Sequence, residues 1–256
     1  MQASLNADRV DLMGCPVDGL TLRQTVARVR ELVRRGEPTQ HMCVNANKVV
    51  QMHGDPELRR IVRESDLISA DGAGVVLASH LLGRPLPTRV TGVDLFMELM
   101  RLAPLEGWRP YLIGARPEVI ERTVGVLEER FPGLRLAGYR DGYFKEAEDE
   151  EVARTIRASQ ADLLFVGMPS PRKEIFLGRW LAEMEVPFAM GVGGTFDVVA
   201  GHVQRAPRWA RDSGLEWAFR LAQEPRKMWR RNVYGSTTFL YRTVRASQGA
   251  YRLPED

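Results

Sequence analysis

From residue 110 onward the chain alternates short apolar runs with amphipathic helical stretches, and the turns between them are rich in glycine and proline. Residues 110–115 read as a strand, and 117–130 as a helix stopped by Pro132-Gly133. A strand over 134–138, a helix over 146–158 and a buried strand over 162–166 follow, then a helix over 171–184 and a strand over 187–192. Strands separated by helices cannot pair through hairpins. Each returns by a crossover, which builds a parallel sheet covered on both faces. The first hundred residues keep the same rhythm. Thr21-Leu22-Arg23-Gln24 is a capping box, and Leu22, Val26, Val29 and Val33 follow helical spacing. Strand signals lie at 41–44 and 66–69, Asp55-Pro56 starts a helix, a helix over 77–82 closes at Gly83, and 93–102 is amphipathic. The expected fold is α/β and Rossmann-like, a mostly parallel sheet with helices on both faces. Such sheets bind ligands beyond the carboxyl ends of their strands.

The rhythm stops near residue 200. Residues 1–200 therefore read as one Rossmann-like catalytic domain, and 201–256 as a basic helical C-terminal appendage carrying Trp209, Trp217 and Trp229. The net charge of +3 hides an asymmetry: the first segment carries an excess of acidic side chains, the second an excess of basic ones. A basic tail suits a phosphate-rich partner such as nucleic acid, anionic lipid or a phosphorylated substrate, although charge runs are more often solvated helix faces. An apolar fraction of 44% in 256 residues is enough for a core without disulfides. Cys15 and Cys43 lack metal spacing, which points to a reducing compartment. The apolar stretch over 186–201 is interrupted by Asp197 and several glycines, so no membrane span is expected. Residues 1–11 lack a signal-peptide core, and a cytoplasmic protein is expected.

Six constellations could carry chemistry, five of them at strand ends and one in the appendage. Asn45-Ala46-Asn47 follows one strand, and Ser69-Ala70-Asp71-Gly72-Ala73-Gly74 another. Asp71 reads most simply as a helix N-cap; the sharper reading is a general base at the sheet edge. Gly114-Ala115-Arg116-Pro117 leads a strand into a helix N-terminus, which suits either a phosphate or a plain turn. In Pro171-Arg172-Lys173-Glu174 two basic residues oppose the helix dipole, a cost that an anion there would relieve. Gly191-Val192-Gly193-Gly194-Thr195-Phe196-Asp197 permits close backbone approach to a ligand, with Asp197 as a sugar-hydroxyl partner or a cap. The arginines from Arg205 to Arg226 suit a diphosphate, and the tryptophans suit either a membrane interface or packing. No Asp-x-Asp pair, Walker loop, HExxH or Gly-x-Ser-x-Gly motif occurs, and the four histidines lack ligand spacing. Nothing calls for a metal or cofactor. An oxidoreductase, a basic nucleic-acid module and an inactive scaffold remain open on these residues alone.

The chain resembles the WecG/TagA/CpsF family of bacterial glycosyltransferases over roughly residues 10–240. The resemblance rests on Asn45-Ala46-Asn47-Lys48, Ala70-Asp71-Gly72, Arg89-Val90-Thr91-Gly92-Val93-Asp94 and Leu112-Ile113-Gly114-Ala115. It continues through Phe131-Pro132-Gly133-Leu134, Gly138-Tyr139-Arg140-Asp141-Gly142-Tyr143-Phe144 and Asp162-Leu163-Leu164-Phe165-Val166-Gly167-Met168. Pro171 to Glu174, Gly191 to Asp197, Arg205-Ala206-Pro207, Gly214-Leu215-Glu216-Trp217, Arg220-Leu221 and Glu224-Pro225-Arg226 complete it.

This resemblance implies a compact Rossmann-like (GT-E type) fold and an inverting transferase without a DxD-bound metal. It implies a UDP-sugar donor and a polyprenyl-diphosphate-linked sugar acceptor, in synthesis of a bacterial cell-surface polymer or exopolysaccharide. The enzyme would be cytoplasmic and peripheral at the inner face of the plasma membrane, meeting that surface through the appendage. The resemblance leaves a homo-oligomer open and gives no role to nucleic acid. By position it makes Asp71 the catalytic base. It places Cys43, Asn45, Asn47, Gly72, Arg89, Gly114, Lys173, Gly193, Gly194 and Asp197 at substrate-binding positions, and Arg220, Arg226 and Arg230 at the diphosphate. The family commonly has glutamine where this chain has Lys173, and often threonine where it has Cys43, so the donor sugar stays open between N-acetylmannosamine, glucose and other hexoses.

Overall fold

The computed structural model describes residues 9–207, 209–210, 216–223 and 235–251, without the side chains of residues 217 and 220. The chain opens with a hairpin of β1 (Arg9–Leu12) and β2 (Cys15–Asp18), turned at Met13-Gly14 with both residues at positive φ. Helix α1 (Leu22–Arg35) follows, then β3 (Gln40–Val44), α2 (Ala46–Met52), α3 (Pro56–Glu64), β4 (Leu67–Ala70), α4 (Ala73–Leu81) and α5 (Gly92–Glu106). The clean repeat comes next: β5 (Pro110–Gly114), α6 (Pro117–Arg130), β6 (Gly138–Arg140), α7 (Asp149–Ser159), β7 (Leu163–Gly167), α8 (Arg172–Met184), β8 (Phe188–Gly191) and α9 (Thr195–Val199). Helices α10 (Glu216–Gln223) and α11 (Gly235–Ser247) close the described chain.

Six strands form one sheet in the order β4-β3-β8-β7-β5-β6, and every pairing is parallel. The pleat sends alternate side chains to opposite faces. Leu163, Phe165, Phe188 and Met190 join the core under α1, α5, α6 and α9. Leu164, Val166 and Ala189 pack under α7 and α8, while Met42, Val44, Ile68 and Ala70 pack under α2, α3 and α4. The result is the Rossmann-like α/β sandwich that the alternation implies.

Local chemistry sets the boundaries. Thr21 and Gln24 complete the capping box, and Gly36 ends α1 at φ 73°. The expected strand over 134–138 is instead β6, Gly138–Arg140. Leu134 and Leu136 pack on the core from a loop, and pairing with β5 begins at Gly138, where a Cβ would strike the Tyr111 ring at 2.6 Å. The hairpin covers the open edge beside β4: Ile68 donates its backbone N–H to Asp18 at 2.6 Å, and Arg9 reaches the carbonyls of Ser65 and Asp66.

The last helix, α11, lies on α2 and α4. It buries Phe239, which contributes about 2–3 kcal/mol. It comes so close to α2 that a Cβ on Gly235 would fall 2.6 Å from the Asn47 amide oxygen. His53 fixes its far end: Nε2 donates to the Met13 carbonyl at 2.8 Å, while Nδ1 accepts from Arg242 at 2.7 Å and from the Tyr251 hydroxyl at 2.9 Å.

His41 on β3 is buried, with Nε2 2.9 Å from the Ser69 hydroxyl, and burial pushes its pKa from 6.5 down to about 3. The unfolded chain therefore takes up this proton first as pH falls. The stability tied to the neutral ring is complete above about pH 6.5 and is lost below it. We expect the urea midpoint to fall between about pH 7 and about pH 5, and His41→Gln to show a shallower slope across that range. An unchanged slope would remove His41 from this acid sensitivity.

Candidate active site

The parallel sheet brings all six carboxyl ends to one edge. From β3 the chain leaves to α2 and α3 on one face; from β8 it leaves to α9 on the other. The crevice between these departures is the topological switch point, where such sheets hold ligands.

Asn45 follows β3 directly. Its side-chain oxygen accepts the Lys48 backbone N–H at 3.0 Å and so caps α2, leaving its amide nitrogen without a partner among the described residues. Asp71 follows β4, and its backbone N–H donates to the Val44 carbonyl at 2.7 Å, which ties the two strand ends together. Asp71 is not the N-cap of α4. That position belongs to Gly72, whose φ of 134° only glycine adopts without strain. A Cβ on Gly72 would sit 3.9 Å from the Asn45 Cβ, so Asp71-Gly72 and Asn45 share one wall.

Arg89 reaches the same edge, because Val90 donates its N–H to the Ala70 carbonyl at 2.8 Å. Its guanidinium pairs with Glu216 of α10 at 3.1 Å. Gly92, the first residue of α5, comes so near that a Cβ there would lie 3.5 Å from the Cys43 sulfur. Burial, with Asp71 nearby, pushes the Cys43 thiol pKa up and keeps it protonated. Thr91 and Asp94 cap α5, and Asp94 also pairs with Arg205.

On the β8 side stands a buried ionic triad. Lys48 of α2 and Lys173 of α8 both contact Oε1 of Glu174, Lys173 at 2.8 Å. Burial pushes the Glu174 carboxyl upward, but the two ammonium groups win and hold it at about 2. Burial and Lys48 push Lys173 down to about 8, against the pull of Glu174. Sequence reasoning singled out Lys173 but assigned nothing to Lys48 or Glu174. Their separation of 126 positions hides the pair.

The remaining candidates divide. Gly193 has φ 54°, and Gly194 takes the N-cap position of the short α9 with ordinary φ. The Asp197 carboxylate makes no hydrogen bond or ion pair among the described residues, and a Cβ on Gly194 would lie 3.8 Å from it. Gly114 sits on β5, with β8 and β7 between it and β3. Its φ is 133°, and a Cβ there would overlap the Gly167 backbone at 2.5 Å, so packing already requires glycine. Asn47 lies against Gly235 of α11. The Arg220 side chain, Arg226 and Arg230 lie outside the described residues. A cavity of about 220 Å³ lined by Gln40, Ile61, Asp66 and Leu177 opens at the amino ends of β3 and β4, the opposite edge from Asp71. Among the described residues, no three of His, Cys, Asp and Glu converge as metal ligands.

In α/β proteins a polar, cation-bearing switch point of a parallel sheet is the kind of place where ligands bind. The family model "Glycosyl transferase WecG/TagA/CpsF family" matches residues 10–252. The chain belongs to this family and is a glycosyltransferase. Among similar proteins is an N-acetylglucosaminyldiphosphoundecaprenol N-acetyl-beta-D-mannosaminyltransferase of Bacillus spizizenii (strain W23). It is 39% identical over 177 residues, covering 69% of this chain and 68% of that protein. A protein of the same name from Staphylococcus aureus (strain MW2) is 30% identical over 245 residues, covering 95% of each chain.

Gly72→Ala should cost about 1–3 kcal/mol in urea unfolding, because the strained backbone region, not crowding, penalises a side chain there. A cost below about 0.5 kcal/mol would show that the loop relaxes around alanine.

Proposed function

We propose that this glycosyltransferase moves a sugar from a UDP-linked donor to a polyprenyl-diphosphate-linked N-acetylglucosamine, with inversion at the anomeric carbon, during synthesis of a bacterial cell-surface polymer. The observation that carries this reading is Asp71, set at the switch point beside Asn45 and released from capping by Gly72. The acceptor is the one that the names of the two similar proteins contain. N-acetylmannosamine, also in those names, is the first donor to test.

The mechanism is a single displacement. The Asp71 carboxylate takes the proton from the acceptor hydroxyl as its oxygen attacks the anomeric carbon. The bond from that carbon to the UDP oxygen breaks, and UDP leaves from the opposite face. Lys173 and backbone amides of the 193–194 turn meet the diphosphate charge. Asn45 offers its amide N–H groups from the same wall. By the family resemblance, Arg220, Arg226 and Arg230 are assigned to the lipid diphosphate.

The enzyme works peripherally at the inner face of the membrane. Among the described residues no helix is long and apolar enough to cross a bilayer. Helices α4 and α11 pack together and expose Leu77, Leu81, Leu240, Tyr241 and Val244. An apolar surface of this kind beside the site suits an interface with lipid. Replacing Leu240 and Tyr241 together by glutamate should release the protein from sedimenting anionic vesicles while leaving UDP binding intact. Equal sedimentation would remove this face from membrane contact.

The central test is UDP release from a panel of UDP-sugars with a polyprenyl-diphosphate-N-acetylglucosamine acceptor. One donor should give acceptor-dependent release, and Asp71→Asn should lower it about 10²–10⁴-fold with an unchanged unfolding midpoint. Wild-type turnover in the folded variant would sink Asp71 as the base.

A further inference from the structure

We propose that Glu174 is a positioning residue for donor binding: its carboxylate, shared by Lys48 and Lys173, presents the Lys173 ammonium to the diphosphate of the nucleotide sugar. This deepens the transferase reading and rests on it.

Geometry carries the argument. The Glu174 side chain is only 1% exposed, and both lysines converge on its Oε1. Its Oε2 is buried and has no hydrogen-bond partner among the described residues. One carboxylate therefore serves two ammonium groups, and a positive charge is left over. The two lysines are not equivalent. Lys48 is 7% exposed and held from α2; Lys173 is 12% exposed and projects from the first turn of α8. The Lys173 stem runs along the carboxyl end of β8. A Cβ on Gly191 would lie 3.0 Å from both its Cδ and its Cε, so a glycine there makes room for it. Two residues further along the chain lies Gly193, at φ 54°. Apart from Glu174, the Lys173 ammonium has no hydrogen-bond partner among the described residues, so two of its three N–H donors remain to be used.

An ammonium at this place is costly to the protein alone. It sits at a helix N-terminus, where the dipole opposes a cation, and it is largely removed from water. Arg172, its neighbour, escapes the same cost through a two-point pair with Asp149, one arm at 2.8 Å. Lys173 has only a share of Glu174. A diphosphate oxygen would supply the missing acceptors and the missing negative charge.

The charged and titratable groups facing Lys173 are Lys48 from α2, Glu174 from α8, Cys43 from β3 and, through Cys43, Asp71 at the end of β4. With its pKa pushed down to about 8, Lys173 holds its charge below that pH and loses it above. Diphosphate affinity should follow.

The test is UDP binding by calorimetry from about pH 7 to about pH 9, with uridine as the control. Wild-type affinity for UDP should fall about tenfold across the range, and uridine should not show that fall. Lys173→Gln should bind UDP about tenfold more weakly at neutral pH, with the fall abolished. Glu174→Gln should move the fall to lower pH, because the ammonium loses its carboxylate. Lys48→Met should move it to higher pH, because a repelling charge is gone. A purely structural ion pair would weaken both variants alike and leave the pH of the fall unmoved; that result overturns the proposal. If Glu174→Gln does not fold, Lys48→Met and Lys173→Gln still decide it. A wild type that binds UDP with no such fall sinks this inference alone. A wild type that binds no UDP at any pH sinks the reading of a UDP-linked donor with it.

Discussion

All six strands of the sheet run the same way, and that single constraint puts every strand end at one edge. At each end the chain turns into a helix or loop, and at the β5 and β7 ends the backbones pack tightly. Gly114, Gly142 and Gly167 let three backbones touch at the β5 and β7 ends, with the Phe196 ring closing over Gly167. Between β3 and β8 the connections diverge to opposite faces, the arrangement at which such sheets hold ligands. Asn45, Asp71, Cys43 and Lys173 meet at this place because the topology brings them there, not because they are near in sequence.

The periodic middle of the chain was legible, and for a physical reason. Helix α6 begins with Pro117 and ends at Arg130 before a proline, so its bounds are written in local chemistry. The hairpin was not legible. Its strands are four residues each, and its turn uses Met13 at φ 57°, a residue that gives no turn signal. Helix α2 was missed because Asn45 looked like a ligand-binding residue when its oxygen also caps a seven-residue helix. Packing of α11 through Gly235, Phe239 and Arg242 depends on partners far away in the chain, which periodicity cannot reveal.

The candidate site was readable to a similar depth. Glycine and asparagine at strand ends mark an edge, and the family pattern selects Asp71 from among several carboxylates that could equally cap helices. Two basic residues opening α8 pointed to an anion. Half of that signal has an internal answer, because Arg172 finds Asp149 from α7. The other half stays open, since Lys173 must divide Glu174 with Lys48. Which cation is satisfied by the protein and which is left for a ligand is a matter of tertiary contact, and no spacing rule encodes it.

A buried ionic group is an expensive way to hold two helices together. Packed apolar side chains of similar volume usually do as well or better, because removing charges from water costs several kcal/mol per ion. The Lys48–Glu174–Lys173 triad links α2 to α8 directly above the β3–β8 crevice, where leucine and methionine would serve stability alone. What apolar packing cannot supply is a fixed charge already stripped of water and aimed at a ligand. A cation held in advance needs little reorganisation when an anionic group arrives or departs, and it acts in a medium where each charge counts for more. The carboxylate that secures Lys173 also limits its strength. A lysine fully paired with Glu174 would have little to offer a diphosphate, and one without Glu174 would give up its proton at lower pH. Sharing one carboxylate between two lysines keeps Lys173 charged and still incompletely satisfied, which is the state that the proposed diphosphate contact requires.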